Sequence, residues 1–303
     1  MSLKPDPSVI GGVATPQFAR LPDVQALFAR RATRLRHLAA SSHLAPYLRF
    51  LADICDAQRR IAEKLGDAAA PDPEMIARNR SYRMPPLDRA ALIATPEMQE
   101  ALQAMLTEAA LIDMPAPARE ALNALQAAPE SDRHALLAEL AADRVPDGFA
   151  AAATFAAAAL QVVAARHAAA LDADQLVPIR IGICPGCGGK PGLSLVTATQ
   201  HQEGARYACC ATCATQWNEV RVKCLCCGST KGISYRVVDD GSENPVIKAE
   251  VCDECHSWLK VLYQNLDSGL EAVADDVASL GLDALMRDTE WRRCGFNPFL
   301  AGY

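Results

Sequence analysis

The sequence predicts an α+β protein: a helical N-terminal region, two tandem four-cysteine β-ribbons, and a C-terminal helix. Three observations predict it. The chain is rich in alanine, the residue that costs least in a helix, and only 5% of its 303 residues are aromatic. Ten of the twelve cysteines crowd into the stretch from Cys184 to Trp258, eight of them in four C-x-x-C pairs. Around those pairs the composition turns to Val, Ile, Thr and Tyr in short alternating runs. The expected division is a helical domain over 1–175, ribbons over 178–222 and 223–262, and a C-terminal helix and tail over 263–303.

Residues 1–20 carry three prolines and read as an irregular arm. Val24, Leu27, Phe28, Leu35 and Leu38 have helical spacing in a first helix from Pro22 to about Ala40. Its Arg30, Arg31, Arg34 and Arg36 read as a solvated face. A second helix runs from Ala45 to Leu65 and stops at Gly66, with the unpaired Cys55 as a small buried hydrophobe. Residues 67–94 show little periodicity and read as a long loop. Thr95-Pro96-Glu97 opens a third helix, with Thr as cap, Pro at the first position and an acid at the positive end. Shorter helices are expected over 117–127 and 131–143, the latter capped by Ser131, then a long alanine-rich helix over 149–171. Phe149 to Ala165 is uncharged, but seventeen residues of mostly alanine suit a buried helix better than a membrane span.

After a hinge at Asp172–Pro178, the cysteine pairs fall as Cys184/Cys187, Cys210/Cys213, Cys224/Cys227 and Cys252/Cys255. The loops joining them, 22 residues from Cys187 to Cys210 and 24 from Cys227 to Cys252, nearly match. Two residues between cysteines let one tight turn aim both sulfurs at a single point. Two such turns complete a tetrahedron of thiolates around zinc or iron. The halves also match outside the ligands: CPGCGGKPGLS (184–194) parallels CLCCGSTKGIS (224–234), and Trp217 and Trp258 follow the second pairs. Gly188 and Gly228 sit where a positive φ would let N–H groups turn toward sulfur. Ala214 and His256 hold that place in the second pairs, so the two knuckles of each site are expected to differ. Cys209 and Cys226 read as packing residues, Cys294 as unpaired, His256 as structural, and His201 as solvated in a hairpin loop. Asp239-Asp240-Gly241 reads as a hairpin turn. Apolar residues at 270, 273, 277, 280 and 284 mark a C-terminal helix over 270–286, with Asp275 and Asp276 on its other face.

The formal net charge of −6 and the absence of a basic stripe argue against unaided nucleic-acid or membrane-surface binding. No apolar run follows MSLKPDPS, so no secretory signal is read, and twelve cysteines then suit metal ligation better than disulfides. No nucleotide-binding or hydrolase fingerprint is present. Catalytic zinc keeps an open position, and two closed four-thiolate sites leave none, so an enzyme is not expected. Structural zinc ribbons, rubredoxin-like iron sites and a zinc-ribbon nucleic-acid binder remain as readings, the last disfavoured by charge.

Taken together, CPGCG (184–188), RYACCATC (206–213), RVKCLCCG (221–228), KAEVCDEC (248–255), EAVADDVASLGLDALM (271–286) and NPFL (297–300) resemble the FdhE proteins, accessory factors for formate dehydrogenase. RRATRLRHLA (30–39), YLRF (47–50) and PPLD (85–88) extend the resemblance more loosely. It implies a cytoplasmic protein that binds the catalytic subunit of respiratory formate dehydrogenase before export. It also implies rubredoxin-like iron in two sites, Cys184, Cys187, Cys210 and Cys213 in one and Cys224, Cys227, Cys252 and Cys255 in the other, with zinc as alternative occupant. Self-association is compatible with it.

Overall fold

The computed structural model describes residues 16–198, 204–238 and 244–300. Most of the expected N-terminal arm, His201 and the turn at Asp239–Gly241 lie outside them. A short strand, β1 (Ala19–Arg20), precedes eight helices: α1 (Val24–Ala39), α2 (Ala45–Leu65), α3 (Pro73–Ser81), α4 (Arg89–Ile93), α5 (Pro96–Ala109), α6 (Ala116–Ala127), α7 (Glu130–Ala141) and α8 (Ala150–Ala169). Thr95 caps α5 as expected, its hydroxyl accepting from the Met98 N–H at 3.2 Å. Two local expectations change. The stretch 67–94 is not a continuous loop, because Asp72 and Asp88 accept from the first-turn N–H groups of α3 and α4 and so start two short helices. Ser131 lies inside α7, which begins at Glu130 behind Pro129.

Helix α8 is the axis of this half. From Ala153 to Ala168 every residue but the half-exposed His167 is buried, and α2, α5, α6 and α7 pack around it. Its alanines let those neighbours approach closely, which explains the long uncharged run without a membrane. No helix among the described residues is long and apolar enough to cross one.

The cysteine-rich half forms β2 (Pro191–Val196), β3 (Arg206–Cys210), β4 (Gln216–Glu219), β5 (Ile233–Arg236), β6 (Ile247–Cys252) and β7 (Ser257–Tyr263). Helices α9 (Ala272–Ala278) and α10 (Leu280–Arg287) and the short β8 (Arg292–Arg293) follow. Each ribbon is an antiparallel three-strand meander, but the ribbons are not separate. Strand β2 pairs in parallel with β7, Ser194 opposite Val261, and merges them into one sheet of order β1-β4-β3-β2-β7-β6-β5, with β8 added beside β7. β1 extends the first ribbon, so the N-terminal segment is built into the cysteine-rich half. One apolar core runs from the helices through Cys184, Cys210, Cys213 and Trp217.

Buried charges fasten the parts together. Arg206, 1% exposed, donates to Glu250 Oε1 at 2.8 Å, to Ser194 Oγ at 3.0 Å and to the Arg221 and Lys223 carbonyls at 3.2 and 3.0 Å. It thus joins both ribbons and their linker. The C-terminal helix expected over 270–286 is broken at Ser279, and Asp275 and Asp276 are buried rather than facing solvent. Each has cationic partners. Asp275 accepts from Arg34 Nη2 at 2.8 Å, and Asp276 from Arg293 Nη2 at 2.7 Å and Lys260 Nζ at 3.1 Å. The solvated face assigned to α1 is corrected in the same way: Arg31 is buried against Glu271 and Arg34 against Asp275, while Arg30 and Arg36 remain exposed.

Burial raises the Asp276 carboxyl, but Arg293 and Lys260 outweigh it and hold the group below its ordinary value. A carboxyl lowered on folding adds stability above its unfolded-state value, and that stability is lost as pH falls. Asp276→Ala is expected to cost roughly 2–4 kcal/mol by leaving Lys260 and Arg293 with Asp283 as their remaining carboxylate, against less than about 1 kcal/mol for Arg36→Ala at the surface. Urea unfolding of both variants at neutral and acid pH measures this; the Asp276→Ala penalty should shrink on acidification.

Candidate metal centres

Both halves of the sheet build the same device. A turn holds the first pair before β2 or β5. The second pair starts on the last residue of β3 or β6, Cys210 or Cys252, and ends in the turn to the next strand. In the first knuckle the Cys184 N–H donates to the Gly189 carbonyl at 2.8 Å and the Gly188 N–H to the Cys184 carbonyl at 2.9 Å. The second copy repeats this with Cys224, Ser229 and Gly228 at 2.8 and 2.9 Å.

The knuckles were expected to differ at the residue after the second cysteine, yet their backbones agree. Gly188 and Gly228 have φ of 74° and 82°, and Ala214 and His256 adopt 58° and 49°. A left-handed residue with a side chain costs of order 1 kcal/mol, so the turn geometry overrides local preference at Ala214 and His256. Cysteine N–H groups reach sulfur, among them those of Cys213, 3.4 Å from Cys210 Sγ, and Cys226, 3.3 Å from Cys224 Sγ, whereas Gly188 and Gly228 bond carbonyl oxygens.

All eight predicted ligands come together as two groups of four. Cys184 Sγ lies 3.6 Å from Cys213 Sγ and Cys187 Sγ 3.6 Å from Cys210 Sγ. In the second group Cys224 and Cys255 are 3.6 Å apart and Cys227 and Cys252 3.8 Å. A tetrahedron with metal–sulfur bonds of about 2.3 Å has edges of about 3.8 Å, so both groups fit a four-thiolate metal. Hydrogen bonds with Cys184, Cys187 and Cys213 hold the Cys210 thiol well below its ordinary range. At Cys224 burial works the other way, but the N–H groups of Cys227 and Cys226 and the thiol of Cys255 bring it down.

The two groups differ in surroundings. The first is wholly buried beneath the helical half. The Leu87 N–H donates to the Gly186 carbonyl at 3.0 Å, and Gln161 of α8 donates to the Ala211 carbonyl at 2.8 Å. Arg89, salt-bridged to Asp143 at 2.6 Å, stands beside it. Burial opposes the Arg89 charge, but Asp143 and the sulfurs of Cys187 and Cys210 hold the guanidinium above its usual range. The second group lies at the surface, with Cys227 exposed and Cys255 half-exposed.

Cys55 and Cys209 are buried, and burial pushes the Cys55 thiol up to about 12 and Cys209 further. His256 turns outward, 3.5 Å from Glu290. Cys226 is not a packing bystander and Cys294 is not unpaired: the two are joined as a disulfide. Strand β8 runs parallel to β7, and the residue after it, Cys294, reaches the first knuckle of the second site. Sequence reasoning also missed two hydroxyls, Thr215 at 3.2 Å from Cys213 Sγ and Ser257 at 2.8 Å from Cys255 Sγ. Their signal was readable, since each lies two residues after the last ligand of its site. Arg89 and Gln161 had no such signal, because only the folded helical half brings them to the sulfurs.

Family models described as FdhE N-terminal, FdhE central domain and FdhE C-terminal domain match residues 16–180, 183–221 and 222–300. An FdhE homolog from Rhizobium meliloti is 50% identical over 301 residues, covering 99% of this chain and 98% of the relative. FdhE of Escherichia coli K12 is 36% identical over 284 residues, 92% and 89% of the two chains. The crystal structure of the FdhE protein from Pseudomonas aeruginosa superposes with a TM-score of 0.83 at 32% identity, over 94% of this chain and 99% of that one.

The difference in burial predicts different costs of ligand loss. Cys184→Ser and Cys227→Ser should each remove one of two bound metals. The first should lower the melting temperature by roughly 10 °C or more, because it opens a core shared with the helices; the second should lower it by about half that or less. Metal analysis beside calorimetry checks both.

Proposed function

The chain belongs to the FdhE family, and we propose on that premise that it is a non-catalytic maturation factor for respiratory formate dehydrogenase. It binds the catalytic subunit in the cytoplasm before export and carries iron in two rubredoxin-like sites. The ligands are Cys184, Cys187, Cys210 and Cys213 in the first and Cys224, Cys227, Cys252 and Cys255 in the second. Tetrahedral thiolate iron supplies one-electron chemistry.

The observation that carries the redox part is the exposure of Cys227. Electron exchange with a client needs a ligand at the surface, and of the two sites only the second offers one. The first site, closed by Arg89, Gln161 and the 85–88 loop, then holds the ribbons against the helices. Client binding needs only surface complementarity and does not depend on the metal's identity.

A second reading is favoured by the closed first site and by thiolate affinity, which ranks zinc above ferrous iron. In it both sites are zinc ribbons and the protein is a scaffold alone. Purification without air or a metal-affinity tag separates the two. Near two irons per chain, with thiolate-to-iron absorption that bleaches on reduction, supports the iron reading; near two zincs and no colour supports the scaffold. In the native host, pull-down is expected to recover the formate dehydrogenase catalytic subunit. Cys227→Ser should keep that capture while lowering formate dehydrogenase activity about tenfold or more, the scale of losing one functional group. Recovery of unrelated proteins alone would overturn the assignment of the client.

A further inference from the structure

The twelve cysteines divide into eight at the metal centres, two sealed in the core, and the pair Cys226–Cys294. Neither member of the pair is a metal ligand in the reading above, yet both attach to the knuckles of the second centre. Cys226 stands between the ligands Cys224 and Cys227, and its N–H lies 3.3 Å from Cys224 Sγ. Cys294 follows β8 and is tied to the opposite knuckle, its N–H donating to the Trp258 carbonyl at 3.1 Å and the Arg292 N–H to the His256 carbonyl at 2.8 Å. The segment is then fixed by the Phe296 N–H, which donates to the Pro191 carbonyl at 2.9 Å. The Cys226–Cys294 bond therefore links the two knuckles of the second centre from outside the metal. Its Cα atoms are 6.2 Å apart, within the range that disulfides span, and it closes a separation of 68 residues.

The first centre has nothing comparable. Gly186 occupies the place of Cys226 in the matching turn, and the helical half clamps that centre instead. The centre that lacks helical cover is the one with the covalent link. Both cysteines of the pair are half-exposed, so a small thiol can reach them, whereas Cys55 and Cys209 are buried.

We propose that Cys226 and Cys294 form a reversible disulfide that clamps the exposed second metal centre. Oxidation adds a covalent link between its knuckles and slows metal loss; reduction leaves them joined by the metal and the β5–β6 pairing. The exchange partner is a low-molecular-weight thiol–disulfide couple of the glutathione kind. The Cys226 thiolate attacks the small disulfide, forming a mixed disulfide and expelling one small thiolate. The Cys294 thiolate then attacks the Cys226 sulfur and expels the second. Two protein thiols are oxidised, one small disulfide is reduced to two thiols, and the two protons pass to the departing thiolates. Excess small thiol reverses both steps. The pairing does not depend on which metal is bound or on the client.

The test equilibrates the full-length, metal-loaded protein in buffers from reduced to oxidised glutathione, traps free thiols by alkylation, and maps peptides without reduction. The peptides containing Cys226 and Cys294 are expected to be joined in oxidised buffer and separately alkylated in reduced buffer. Transfer of one of the two metals to a chromogenic chelator is expected to be about tenfold faster in the reduced state, the effect of removing a modest loop constraint. Cys294→Ser should show the fast transfer in both buffers. Joined peptides in no buffer, or in every buffer including excess reduced glutathione, would overturn the proposal. So would equal transfer rates from both states of the unsubstituted chain. The peptide map reads the pair whether or not Cys294→Ser folds and whatever metal is present.

Discussion

Four sulfurs gathered within one buried cluster are the constraint on which the centre of this structure depends, since a divalent metal held by four thiolates there would carry a net charge of about −2 into the interior. The first centre meets it by recruitment. Arg89 brings a cation from a short helix that starts only because Asp88 caps it, and Asp143 holds that cation in place. The Cys213 N–H donates to the Cys210 sulfur directly. Because Arg89 belongs to the helical half and the sulfurs to the sheet, neutralising the centre and joining the halves are one act. A shared apolar core across the same seam follows from it.

The second centre was built on the same turns and solves the same problem with water. Cys227 is exposed, so solvent screens part of the charge and no buried arginine is required. Solvent can carry charge, but it cannot hold two knuckles in register. That task falls to the C-terminal segment, which pairs with β7 and reaches across to Cys226. The two halves thus pair equivalent backbone turns with opposite environments, one enclosed and one open to solvent.

What could be read in the sequence follows from the range of the interactions involved. The C-x-x-C turns are local, and all eight of their sulfurs lie where the spacing placed them. Thr95 as a cap and the alanine run of α8 are local too. Long-range pairing was not legible. Asp275 and Asp276 look solvent-facing on a helical wheel, but Arg34, Lys260 and Arg293 arrive from positions distant in sequence. Arg31 and Cys294 were misread for the same reason. At Ala214 and His256 the failure ran the other way, since local preference disfavours a left-handed conformation that the metal turn imposes.

The fusion of the ribbons bears on how the two centres could act together. If each ribbon were an independent module on a flexible hinge, a change at one centre would stay there. Instead β2 pairs with β7, and Arg206 spans Ser194, Glu250 and the linker carbonyls. Its charge is buried, so sliding one ribbon past the other would break the Arg206–Glu250 ion pair in the interior, at a cost of several kcal/mol. The sheet therefore moves as one body. Rigidity of this kind fixes the exposed centre relative to the buried one, and through the buried one to the helical half.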